Sequence, residues 1–207
     1  HISPATTFLP NGGTGLFVSG YCDSGLAAVG VWYPCPRIRL LGLIADANGD
    51  RQNWGDIAAG DFYKAFEVGL QIAPTTEKAG YSKFTIWHTD GTKDGQPINA
   101  STGREGWGMT LKREHEFTRD GNLVGVARWG KSFNKSSLYD DQASLHLLLY
   151  DPPGPAGLEN DLLGAAVNWA QASAEGARPE YNFEVFYRFP FFTGLDTTLS
   201  FQQVIHP

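Results

Sequence analysis

The chain of 207 residues has 42% hydrophobic and 18% charged residues and a formal net charge of -6, a balance that suits a soluble domain and a membrane wall alike. Its pI near 5.3 argues against a nucleic-acid partner, which demands a basic face. No run approaches the roughly 18 consecutive apolar residues of a membrane helix, whereas a mean hydropathy of -0.27 leaves open a β-barrel with a polar lumen.

Residues 1–25 are rich in Gly, Ser and Pro and read as loop. His1 stands in place of Met, with no signal-like charged and apolar regions behind it, so the start reads as processed or cut. Residues 26–207 read as a meander of about ten strands, from period-two alternation bounded by turn residues. The spans are 27–33, 38–45, 62–72, 81–89, 107–117, 123–131, 143–150, 162–170, 181–189 and 197–205. Alternation gives each strand two unlike faces. Phe66, Val68, Leu70 and Ile72 oppose Ala65, Glu67, Gly69 and Gln71. Met109 and Leu111 oppose Thr110, Lys112, Glu114 and Glu116, and Leu163, Ala165, Val167 and Trp169 oppose Gly164, Ala166, Asn168 and Ala170. Tyr181, Phe183, Val185, Tyr187 and Phe189 share one face, with Asn182, Glu184, Phe186 and Arg188 on the other.

The connectors 34–36, 73–80, 118–122 and 190–196 are mostly short, and 46–61, 90–105, 132–141 and 171–180 are longer or more polar. Such alternation is the asymmetry of an outer-membrane barrel. The segment 151–160, with Pro152, Pro153 and Pro155, falls on the short side yet is long. No repeat or low-complexity linker divides the chain, which reads as a single domain over 1–207.

Four blocks in order carry a resemblance: GLIADANGD (42–50), FTIWHTD (84–90), DLLGAAVNWA (161–170) and NFEVFYRFPFF through QQVIHP (182–207). They resemble the carbohydrate-selective porins of the OprB family, from Gram-negative outer membranes. The resemblance implies an all-β, antiparallel transmembrane β-barrel, of which these ten strands are part of a 16-stranded wall. An N-terminal half and a last strand are expected to be missing. It further implies passive, sugar-selective diffusion, with small sugars and membrane lipid as partners, and it leaves association as a homotrimer open. Neither catalytic residue, metal nor cofactor is expected.

Sugars suit a lining of carboxylates, Arg, amides and aromatic faces, since hydroxyls need paired donors and acceptors and C–H faces stack on rings. Alternation proposes the pore-lining members: Glu184, Arg188, Arg128, Glu67, Lys112, Glu114, Asn168, Gln202 and His146, with Gln71 beside them and Trp87 if its strand faces inward there. Trp129, Trp169, Tyr181 and Phe189 are the expected aromatic fringe of the lipid face.

Other patterns read as bland. Asp46, Asn48 and Asp50, with Asp56 beyond, open like a calcium loop, but Arg51 replaces its glycine and Ile57 its closing ligand. His115-Glu116 lacks the second His of a zinc protease, Arg119 standing there instead. His88 and Asp90 read as a structural pair. The Gly-rich stretch 11–15 lacks the strand and helix of a phosphate loop, and the sequons at Asn99 and Asn134 carry no weight outside a eukaryotic secreted protein. Cys22 and Cys35 would flank a strand and read as unpaired. The competing readings are a soluble β-sandwich that binds carbohydrate and a β-scaffold hydrolase using Glu114, Glu116 or Glu184. The side to which the apolar face looks separates them.

Overall fold

The computed structural model describes residues 26–48, 60–71, 81–97, 101–152, 161–192 and 195–205. They form ten strands: β1 (Ala27–Cys35), β2 (Ile38–Asp46), β3 (Phe62–Gln71), β4 (Tyr81–Thr89), β5 (Gly106–Glu116), β6 (Leu123–Phe133), β7 (Tyr139–Tyr150), β8 (Leu162–Ala172), β9 (Glu180–Phe192) and β10 (Leu195–Ile205). One ten-stranded sheet runs in the order β1 to β10, and each strand pairs antiparallel with its neighbour in sequence. The sheet is not closed, and β1 and β10 are its edges.

The alternation placed all ten strands, but two connectors differ from expectation. Strands β6 and β7 extend until only 134–138 separates them, and β8 and β9 leave only 173–179. Both gaps are shorter than 151–161 on the opposite edge. The reason is local. Asn134 and Lys135 both take positive φ, 64° and 52°, the pair of left-handed residues whose turn matches the twist of a tight hairpin. The length asymmetry therefore rests on 47–61 and 90–105.

The register carries each strand's two faces across the whole sheet. One row runs Lys83, Lys112, Arg128, Ser144, Asn168, Asn182, and the next runs Phe84, Leu111, Trp129, Ala143, Trp169, Tyr181. The first row belongs to an enclosed face, where Asn182 is 0% and Arg128 4% exposed. The second belongs to a bare face, where Leu145 is 61%, Val185 53% and Phe183 44% exposed. This layering is the reverse of a water-soluble sheet, which buries its apolar side. Among the described residues no second sheet covers Phe183 and Val185, as a sandwich would require.

The enclosed face is less polar than a porin lumen is expected to be. Val124, Val126, Leu148, Leu162 and Phe186 form a buried cluster with Tyr150 against it, and Ala45, Tyr63 and Trp87 form another with Leu43 and Ala65. Both rest on glycines. A Cβ on Gly164 would lie 2.3 Å from the Phe186 ring, and one on Gly108 2.4 Å from Trp87, so each aromatic ring lies flat on a stretch of bare backbone.

Candidate functional site: a polar belt on the enclosed face

All ten proposed lining residues, Trp87 included, fall on the enclosed face, because strand register propagates the choice of face from one strand to the next. Between the two apolar clusters eight of them, all but Trp87 and Arg188, form a belt. Lys112 and Glu114, two apart on β5, are ion-paired at 2.5 Å. Arg39 of β2 pairs with Glu67 of β3, and Thr85 donates to the second Glu67 oxygen at 3.3 Å. On the other wing Gln142 donates to Asn168 at 3.0 Å, His146 Nε2 meets Ser144 Oγ at 3.0 Å, and Glu184 Oε1 accepts from Ser200 at 2.7 Å and Gln202 at 3.0 Å. Arg188 stands two places from Phe186 toward the short-turn edge, opposite Leu162 and Thr198, beyond the belt.

Several buried polar atoms in the belt have no protein partner: Asn168 Nδ2, both side-chain amide atoms of Asn182, and Glu184 Oε2. A buried polar group left unpaired costs about 1 to 3 kcal/mol.

Four charged or amide members of the belt escaped the sequence reading, Arg39 of the Glu67 pair among them. Lys83 lies between Gly69 and Lys112 in the cationic row, Gln142 is 0% exposed, and Asn182 sits beside Asn168. Asn182 was visible on the correct face of its strand. Gln142 fell outside the expected start of β7, and Lys83 becomes conspicuous only when three strands are placed in register.

The other motifs settle as bland features. Asp46 Oδ1 accepts the Asn48 amide N–H at 2.8 Å, an Asx turn, while Asp50 and Asp56 lie outside the described residues. His115 and Glu116 point to opposite faces. His88 Nδ1 is 3.3 Å from Asp90, at the long-connector end of the bare face. Cys35 carries a free thiol at the β1–β2 turn; Cys22, Asn99 and the stretch 11–15 lie outside the described residues. On the bare face Trp129, Trp169 and Tyr181 share one row, and Phe189 stacks on Tyr187 at 5.5 Å nearer the opposite edge.

The long-connector rim is knitted by hydrogen bonds from small residues. Ser101 bridges Ser137, Thr102 N–H donates to the Ser136 carbonyl at 3.0 Å, and Ser173 N–H to the Leu138 carbonyl at 2.9 Å. Ser101 and Thr102, near the end of the 90–105 connector, are thereby held on the β6–β7 hairpin.

No family model and no curated protein matches the chain. A solved structure does: OprB of Pseudomonas putida, in its high-pH structure, matches with a TM-score of 0.65 over 86% of this chain and 53% of that chain, at 14% identity. The fold is that of a porin barrel wall. The chain spans about half the length of that structure, and its ten strands form part of such a wall with two edges unpaired.

Proposed function

We propose that the chain forms part of an outer-membrane porin that passes small sugars by passive diffusion, without covalent chemistry. The observation that carries this reading is the inverted layering. Leu145, Phe183 and Val185 are bare while Asn168, Asn182 and Glu184 are enclosed, as in a wall whose one side meets lipid and whose other side lines water. Unpaired edges do not persist in hydrocarbon, so β1 and β10 require further strands for closure. The long connectors 47–61 and 90–105 then mark the extracellular end, and the turns at 36–37 and 193–194 the periplasmic end.

The belt supports sugars as the permeants. The partly exposed Lys112–Glu114 and Arg39–Glu67 pairs offer charged donors and acceptors to hydroxyls and fix the local field. The full-length protein in lipid vesicles should let sugars equilibrate, read by vesicle swelling. Glu184→Ala or Arg188→Ala should alter sugar flux or ion selectivity with the barrel still folded. Unchanged flux and conductance in both variants would remove them from the permeation path.

A further inference from the structure

The bare face has one charged intrusion inside its apolar field. Arg113 and His115 alternate with Lys112, Glu114 and Glu116 on β5 and therefore point outward, between Leu111 and Phe117. A lipid-facing Arg costs about 2 to 4 kcal/mol at the bilayer midplane and little near an interface. Arg113 escapes the larger cost by reaching sideways: its Nη1 donates to Ser82 Oγ at 2.7 Å, and Ser82 is the second residue of β4, beside the turn end of that strand. The guanidinium therefore sits at headgroup level, on the edge read above as periplasmic.

Two apolar troughs meet at this point. The larger, about 560 Å³, runs from Arg113, His115 and Phe117 up to Phe183 and Val185. Its floor is low where the small residues Ala127 and Ala165 occupy the strands between, while the Phe117 ring lies over Gly125. The smaller, about 440 Å³, shares Arg113 and Ala127 and lies toward Leu70 and Phe84. The one carboxylate at the wall of the larger trough, Glu184, turns its side chain to the other face, where Ser200 and Gln202 hold it. A cation thus stands between two apolar channels with no outward carboxylate in them, matching an anionic phosphate set between two hydrocarbon chains.

We propose that this site binds one diacyl phospholipid of the periplasmic leaflet, its phosphate on Arg113 and His115 and its acyl chains in the troughs. A second copy of the chain in a two-fold contact suits the site less well. A two-fold contact would set recess against recess and Arg113 against Arg113, with no carboxylate to separate the like charges. The proposal rests on the barrel reading and goes beyond it, since it assigns a ligand to the outer side of the wall.

The test uses the full-length protein in neutral detergent micelles, titrated with phosphatidylglycerol and, separately, with phosphate-free diacylglycerol. Bound molecules are counted by native mass spectrometry. One phosphatidylglycerol should remain on each wild-type barrel and diacylglycerol should not. Arg113→Gln, and Ala127→Leu, which fills the shared floor, should each weaken retention at least tenfold. Lys131→Gln, an outward cation elsewhere that pairs with Asp141, should retain the lipid. Equal retention across all variants, or equal retention of diacylglycerol, overturns the phosphate site. A dimer mass lost on Arg113→Gln overturns it in favour of self-association. Folding is read independently, by the compact electrophoretic form that a closed barrel keeps without heating. A wild-type protein lacking that form overturns the barrel reading itself, whereas a closed barrel that retains no lipid overturns only this inference.

Discussion

The two faces of the same strands treat charge in opposite ways. On the enclosed face, ionised groups sit at mid-strand: Lys112 with Glu114, Arg39 with Glu67, and Glu184 among hydroxyl and amide donors. On the bare face, ion pairs gather at the long-connector end, where Lys64 and His88 meet Asp90, where His88 also meets Glu105, and where Lys131 meets Asp141. Mid-strand positions on that face hold Phe66, Ile86, Leu145 and Val185. Charge is tolerated along the inner wall and only at the margins of the outer one, as expected where a hydrocarbon band of fixed height crosses the outer surface. Arg113 is the exception, and its reach to Ser82 takes it to the margin.

The largest effect should come from forcing the faces to exchange chemistry. Val185, 53% exposed and outward, replaced by Arg should lower folding stability in vesicles by about 2 to 4 kcal/mol if it lies near the midplane. Gln202→Arg, on the inner side beside Glu184, keeps a donor for that carboxylate and should cost under about 1 kcal/mol, the scale of a surface substitution. Urea unfolding of both variants in the full-length barrel checks the order. Equal costs, or the reverse order, would mean that the faces have been exchanged. Phe186 is the wrong inner position for this comparison, because it is 2% exposed and packed in a cluster and not in water.

That point marks how far the sequence could be read. Period-two alternation is a property of single strands, so it placed every strand and assigned Glu184 and Asn168 to the enclosed side from the chain alone, while Trp87 waited on the facing of its strand. It could not show that Phe186, Leu148 and Val124 converge from three strands into one cluster, since that depends on register. The ladder of Lys83, Lys112 and Arg128 was hidden for the same reason. The tight 134–138 turn was hidden because Asn134 and Lys135 adopt left-handed backbone without a glycine to announce it. Arg113 went unremarked on the outward face of its strand, and its meaning and that of His115 emerged only when Ser82 and Ala127 were placed beside them.

A second, smaller test asks whether the inner cluster is packed or merely lined up. Gly164→Ala would place a methyl 2.3 Å from the Phe186 ring, and the ring is held by Val124, Val126, Leu148 and Leu162. Overpacking of this kind costs about 1 to 3 kcal/mol. The double variant Gly164→Ala with Phe186→Leu should regain part of that loss, which a double-mutant cycle in urea unfolding would detect. Additive losses would show that the ring is free to move aside.

The smallest effect lies at the outer margin and is read through pH. Partial burial works to raise the Asp90 carboxyl, but the Lys64 ammonium, the Phe62 N–H and His88 together outweigh it and hold the group below its ordinary value of 3.8. The contacts are 2.8 Å from Lys64 and 3.0 Å from Phe62 to Oδ2, with His88 at 3.3 Å from Oδ1. In the unfolded chain these partners are gone, so the unfolded state binds the proton first as pH falls. The contribution is therefore complete above about pH 4, near the ordinary carboxylate value, and is lost as pH drops through the lowered folded value. Asp90→Asn should lower the unfolding midpoint slightly at neutral pH, and its difference from wild type should shrink below about pH 4. Glu105, which faces His88 from the other side at 3.6 Å, is present in both proteins and cancels to first order in that difference. A gap between wild type and variant that stays constant through the acid range would mean that Asp90 stabilises the rim by hydrogen bonding to Phe62 alone, and that the charge beside it contributes nothing.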